Sequence, residues 1–254
     1  MPTKKSISVV LLALFFVILG AGILSRRIYT ARLFETAISP SSDTKTADAA
    51  LVDLDKFKGH DATNFIYRIA VSKYPYIDDR QTLAIQLISQ RGDIDSIAEL
   101  SDLLQPQIDL ARREAVASAL KENACNVQCV KNVLHYEERL LYEKDPIEEA
   151  LIGSTDERVN SKLLTRHASM IDALNLTLSR NLSTTVQVLS DTYGLGSEVP
   201  SSFALHIVDA LDLRSACPLV SRSRSRLIDP SQKEAIESLL VKLNCGSGSP
   251  ASPR

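Results

Sequence analysis

The stretch from Asp78 to Tyr136 constrains the fold most, because it carries one apolar-and-charged pattern twice. Asp78, Asp79 and Arg80 open a helical periodicity with Ala84, Ile85, Leu87 and Ile88 on one face. Gly92-Asp93 then turns the chain into a second helix bearing Ile94, Ile97, Leu100, Leu103 and Leu104. Asp109, Arg112 and Arg113 open the next unit, where Ala115 and Val116 fall in step with Ala84 and Ile85, about 31 residues on. After a turn about two residues longer, Val127, Val130 and Val133 take the places of Ile94, Ile97 and Leu100. A helical hairpin followed by a copy of itself needs neighbours on both sides to bury its faces.

The Leu103-Leu104, Asp109, Arg112, Ala115 and Ala119-Leu120 set resembles HEAT-like helical repeats, including the short form of phycobilin-lyase-type proteins. The resemblance covers about a quarter of the chain and two units, where such stacks usually have three or more. It implies an α-solenoid and a habit of binding other macromolecules, and no chemistry. The same residues also fit two ordinary amphipathic hairpins in a non-repetitive helical domain.

The rest of the composition agrees with an all-α chain. There is no Trp and there are only nine glycines, whereas sheet proteins alternate β-branched and aromatic runs with frequent turns. A formal net charge of −2 argues against a dedicated nucleic-acid binder.

Residues 7–24 form an apolar run between Lys4-Lys5 and Arg26-Arg27. As a helix it extends about 27 Å, close to the hydrocarbon thickness of a bilayer. Gly20-Ala21-Gly22 also suits a signal-peptide cleavage site, but the run continues past it to two arginines, so an uncleaved single-pass anchor is the favoured expectation. Basic residues on both flanks leave orientation open under the positive-inside rule. We place the bulk of the chain outside the cytoplasm, because short lysine-bearing N-terminal tails commonly stay inside.

The expected organisation is a tail over 1–6, the anchor over 7–24, a juxtamembrane segment and flexible linker over 25–60, HEAT-like hairpins over 61–142, a C-terminal helical region over 143–245 and a disordered tail over 246–254. Ser39-Pro40-Ser41-Ser42-Asp43-Thr44-Lys45 has too little apolar content to pack and reads as a tether. Asp61 or Thr63 is positioned to cap the first domain helix, and Tyr74-Pro75-Tyr76 to end it. Asp145-Pro146 starts a short acidic helix through Glu149. Gly194-Leu195-Gly196 is a stop, and Asp229, Pro230 and Gln232 form a strong start for the last helix.

Four cysteines suit an oxidising compartment if the domain is exported. Cys217 and Cys245 each follow the end of a predicted helix and form the preferred pair; two buried thiols are the competing account. For Cys125 and Cys129 a disulfide requires Cys125 to lie in the turn before the helix, since residues four apart within a helix are too far separated. Free buried cysteines fit equally well, and a metal site with His135 fits least, for want of ligands. No nucleophile elbow, phosphate loop or His-rich metal motif is present, so no catalytic, cofactor or metal residue is assigned. The sequons at Asn175 and Asn181 are best explained by chance.

Asp109, Arg112 and Arg113 are candidates for a partner-facing ridge, with capping and inter-repeat pairing as the simpler role. Ser221 to Arg226 alternates serine with Arg222, Arg224 and Arg226 and reads as a solvated loop, or as a contact for lipid headgroups or an acidic partner. The expected function is a membrane-anchored, non-enzymatic scaffold for an unknown protein partner. The alternatives are a homo-oligomeric assembly subunit and, less favoured, an envelope hydrolase or redox protein.

Overall fold

The computed structural model describes residues 4–57, 59–72, 78–105, 108–143, 157–227 and 230–245, and within these all side chains except those of residues 4–16, 78 and 157–160. The predicted features at Tyr74-Pro75-Tyr76, Asp145-Pro146, Asp229 and 246–254 lie outside the described residues. Among the described residues the chain is all-helical, with twelve α-helices and no strand. It divides into two compact units, Met1–Arg91 and Gly92–Arg254.

Unit 1 contains α1 (Lys4–Ile38), α2 (Thr44–Asp55), α3 (His60–Ala70) and α4 (Asp78–Arg91). Helix α1 has 35 residues and so runs about 52 Å. It carries the apolar run without interruption through Arg26 and Arg27 into the packed part of the unit, where Thr30 and Ala37 are buried. Among the described residues no helix is long and apolar enough to cross a membrane. Residues 7–16 of the predicted anchor lie outside the described side chains.

Residues 44–55, expected within a flexible linker, instead form α2 and pack on α1. The reason is an i, i+3, i+4, i+7 face of Ala47, Ala50, Leu51 and Leu54, all buried, which a short helix can seal. Asp43 starts it by accepting from the Thr46 N–H (3.0 Å) and hydroxyl (2.6 Å). Helix α3 begins at His60 after Gly59, with no side-chain cap, so neither Asp61 nor Thr63 caps it.

Two arginines of α4 fix the connections between these helices. Arg80, 6% exposed, donates to the carbonyls of Ala37 (2.7 Å), Ser39 and Ser42 (both 3.4 Å), which closes the turn after α1. Arg91 pairs with Asp55 (2.7 Å) and donates to the Thr63 hydroxyl and to the carbonyls of Asp55 and Phe57. These connections have few backbone bonds of their own, Ser42 N–H to the Ser39 carbonyl (3.3 Å) and Phe57 N–H to the Leu54 carbonyl (3.2 Å), and the guanidinium forks satisfy further carbonyls there. Arg80→Met should lower stability by about 2 kcal/mol by orphaning the Ala37 carbonyl and its neighbours, read as a lower midpoint in a urea titration. Arg80→Lys should recover only part of it, because one ammonium cannot span three carbonyls.

Unit 2 contains α5 (Ile94–Leu100), α6 (Leu110–Glu122), α7 (Val127–Tyr142), α8 (Glu157–Arg180), α9 (Leu182–Tyr193), α10 (Ser202–Ala210), α11 (Cys217–Arg226) and α12 (Pro230–Lys242). Helices α5, α7 and α9 neighbour one another in one layer, and α6 packs along α8 in a second. Arg166 of α8 meets Glu114 near the start of α6 (2.8 Å), and Arg180 donates to the Lys121 carbonyl near its end, so the pair runs in the same sense. The layering therefore continues into α8 and α9, where no repeat spacing is visible in sequence.

Local caps explain the helix starts. Asp93, Asp109 and Asn126 accept from the backbone N–H three residues on, at 3.0, 2.9 and 3.0 Å. Gly194 ends α9 in the left-handed region (φ 68°), as the expected stop requires; a Cβ there would meet the Ser197 hydroxyl at 3.0 Å.

Candidate functional site

A concave surface of unit 1 lies between the middle of α1 and the start of α3. On α1, Ile23, Arg26, Arg27 and Thr30 recur at i, i+3, i+4 and i+7 and share one stripe. Phe57, Gly59, His60, Asp61 and Ala62 form the facing wall, around a cavity of about 270 Å³. A second cavity of about 340 Å³ shares Arg27, Thr30 and Asp61 and adds Asn64, Phe65 and Arg68. The ion pair between Arg27 and Asp61 (3.3 Å) stands between the two, with both side chains more than half exposed. Such a pair contributes little to stability.

Aromatic rings set the other two guanidinium groups. Arg26 lies over Phe57 at 5.6 Å and Arg68 over Phe34 at 4.8 Å, and Phe34 in turn stacks on Phe65 at 4.8 Å. A ring face orients a guanidinium plane and limits the rotamers its side chain can adopt. Three arginines and one carboxylate thus line the two cavities, whose α1 wall begins inside the apolar run, at Ile23. The α1 stripe is readable from spacing in the sequence; Arg68 and Phe57 are brought to it only by the packing of α3 on α1.

In unit 2 the four cysteines form two pairs. Cys125 precedes α7 and joins Cys129 within its first turn, with Cα atoms 5.4 Å apart, as the turn placement requires. Cys217 joins Cys245, with Cα atoms 5.5 Å apart. Cys217 begins α11 directly after a 3-10 turn at Arg214–Ala216, and Cys245 follows α12. The two helices are antiparallel, with Arg224 paired to Glu237 at 2.9 Å along their length, so the start of one meets the end of the other.

The candidate partner residues separate into two kinds. Asp109 is the N-cap of α6 and forms an ion pair with Arg112. Burial pushes the Asp109 carboxyl upward, but the hydrogen bonds and charge of Arg112 outweigh it and hold the group below its ordinary value. Arg113 is not a surface residue: it is 1% exposed, on the inward face of α6 with Val116, Ala117 and Leu120. There it lies over the Tyr136 ring at 5.8 Å and donates to the Tyr136 hydroxyl, which donates onward to Met170 Sδ at 3.9 Å. Sequence reasoning placed it outside because an arginine next to a helix start usually faces water.

The serine-arginine stretch is helical, as α11, and not a loop. Val220, Ser223 and Leu227 are buried at i, i+3 and i+7, and the Ser223 hydroxyl accepts from Gly196 N–H at 2.8 Å. This register leaves Arg222, Arg224 and Arg226 exposed on the outer surface. Arg224 is held by Glu237, and Arg226 donates to the Gly196 carbonyl at 3.4 Å.

Two ionisable groups of unit 2 depart from ordinary behaviour. Burial pushes the Glu137 carboxyl up to about 7, and its covered Oε1 has no hydrogen-bond partner among the described residues. Burial, and then the charge and hydrogen bond of Glu138, push the Tyr193 hydroxyl well above its usual range; its ring tilts against Phe203 at 5.0 Å. Among the described residues no group of three or more His, Cys, Asp or Glu side chains is placed to hold a metal ion. No family model, curated protein or solved structure matches the chain.

Proposed function

We propose that the protein is a single-pass membrane-anchored, non-enzymatic helical scaffold that holds another protein outside the cytoplasm, with its hairpins stacked in the HEAT-like manner. The observation that carries the anchor is the surface of α1. Val17, Ile18 and Leu24 are 69, 64 and 60% exposed, and Ile23 and Ile28 are exposed as well. They continue the apolar run of residues 7–16 in sequence, and that run and these exposed side chains together call for hydrocarbon around the start of α1.

The stacked reading is supported by the two layers of unit 2, where alternate helices neighbour one another. The export reading is supported by the two cysteine pairs, since disulfides persist in oxidising compartments. Scaffold binding is supported by the exposed arginines of α11, which present forked donors suited to carboxylates of a partner.

Cross-linking in intact cells tests this reading. The full chain should give adducts with a different protein, and Arg222→Glu with Arg226→Glu should reduce their yield roughly tenfold while leaving helicity unchanged. Adducts only at multiples of the chain's own mass would replace the scaffold with a homo-oligomeric assembly subunit. No adduct at all would remove both.

A further inference from the structure

We infer that the groove between α1 and α3 binds the phosphate group of an anionic ligand through Arg26, Arg27 and Arg68, with an anionic phospholipid headgroup as the source that its position favours. The lipid source rests on the anchor reading above; the phosphate chemistry does not. Arg26 and Arg27 line the first cavity and Arg27 and Arg68 the second, with Asp61 the carboxylate common to both, so basic groups outnumber acidic ones among the lining side chains. Phe57 and Phe34 each present a ring face to a guanidinium, at 5.6 and 4.8 Å, which orders these long side chains before any ligand arrives.

The groove's carboxylate does not fill this role itself. Asp61 engages Arg27 at 3.3 Å in a pair that is mostly exposed and therefore readily shared with a second acceptor. Planar guanidinium forks match the oxygens of a phosphate, and those of Arg26 and Arg27, from consecutive positions of α1, line one cavity.

Position selects the source. Ile23 lines the same cavity as Arg26, and Ile23 and Leu24 end the apolar run one turn earlier. A lipid whose chains lie beside the α1 apolar surface carries its phosphate about one helical turn beyond the hydrocarbon edge, level with Arg26 and Arg27. The second opening, which shares Arg27 and adds Asn64 and Arg68, gives the ligand further hydrogen-bond donors.

The test uses the full chain in a non-ionic detergent, titrated separately with dioctanoyl phosphatidylglycerol, dioctanoyl phosphatidylcholine and glycerol 3-phosphate, beside the triple variant R26Q/R27Q/R68Q. Phosphatidylglycerol should bind at least roughly tenfold more tightly than phosphatidylcholine, and the variant should lose that preference. Binding to the unaltered chain should also weaken with added salt, a readout that does not depend on how the variant folds. Glycerol 3-phosphate as effective as phosphatidylglycerol would keep the phosphate site and assign it to a soluble ester. Equal affinity for both lipids, unchanged in the variant and insensitive to salt, would overturn the inference. Incorporation of the full chain into nanodiscs is scored separately: failure there would remove the anchor reading while the glycerol 3-phosphate titration still reads the groove.

Discussion

Removing the bond between Cys217 and Cys245, by the double change of both residues to serine, should lower stability by about 3 to 4 kcal/mol. The bond closes a loop of 28 residues containing α11, the connection and α12. Its loss releases that segment's chain entropy in the unfolded state, while the folded hairpin retains the Arg224 to Glu237 pair and the buried Ile236 and Leu239. Urea titration under non-reducing conditions reads the change as a lower midpoint with a steeper slope, since the unfolded chain is then more open. Reduced unaltered protein, which also loses the Cys125 to Cys129 bond, should have a midpoint at or slightly below that of the variant. The Cys125 to Cys129 bond, which closes a loop of only four residues, should contribute less.

Stability should also fall as pH rises between about 4.5 and about 7, by up to about 3 kcal/mol, because of Glu137. Its folded value of about 7 lies above the 4.5 of an unperturbed glutamate. In that window the folded chain binds more protons at this site than the unfolded chain, so raising pH favours unfolding. Below the unfolded value both states are protonated and the site adds no pH dependence. Above the folded value the full loss is present. Glu137→Gln should flatten the profile and raise the thermal midpoint at pH 8, since the amide removes the cost of a covered charge at Oε1. A parallel pH profile in the variant would assign the dependence to other groups.

The sequence foretold the parts of this fold that rest on local chemistry. The starts of α5 and α6 follow from Asp93 and Asp109, whose side chains do cap them, and the end of α9 follows from Gly194. The all-helical class follows from the periodicity of the buried positions. What escaped depends on partners distant in sequence. Helix α2 is polar enough to pass for a tether, and becomes a helix because α1 offers its four small and aliphatic side chains a surface. Helix α11 looks like a solvated basic loop until Ser223 is seen as the inward member of a face with Val220 and Leu227.

The candidate sites divide along the same line. The pairing of Cys217 with Cys245 was readable because helix ends limit what can meet, although Cys217 proved also to begin α11, and the state of Cys125 and Cys129 was left open. Arg113 was misplaced because its inward register depends on the Tyr136 ring, 23 residues later, which turns an arginine into a core residue. The α1–α3 groove was half visible: its Ile23, Arg26, Arg27 and Thr30 stripe is a matter of counting, but Arg68 reaches it through tertiary packing alone.

Alkaline carbonate extraction of native membranes tests the central claim most directly, with the pelleted chain mapped by mass spectrometry. The account predicts that the chain stays in the pellet with residues 7–24 intact and Cys217 joined to Cys245. Release into the supernatant, or recovery of a chain that starts after Ala21 with all four thiols free, would contradict it.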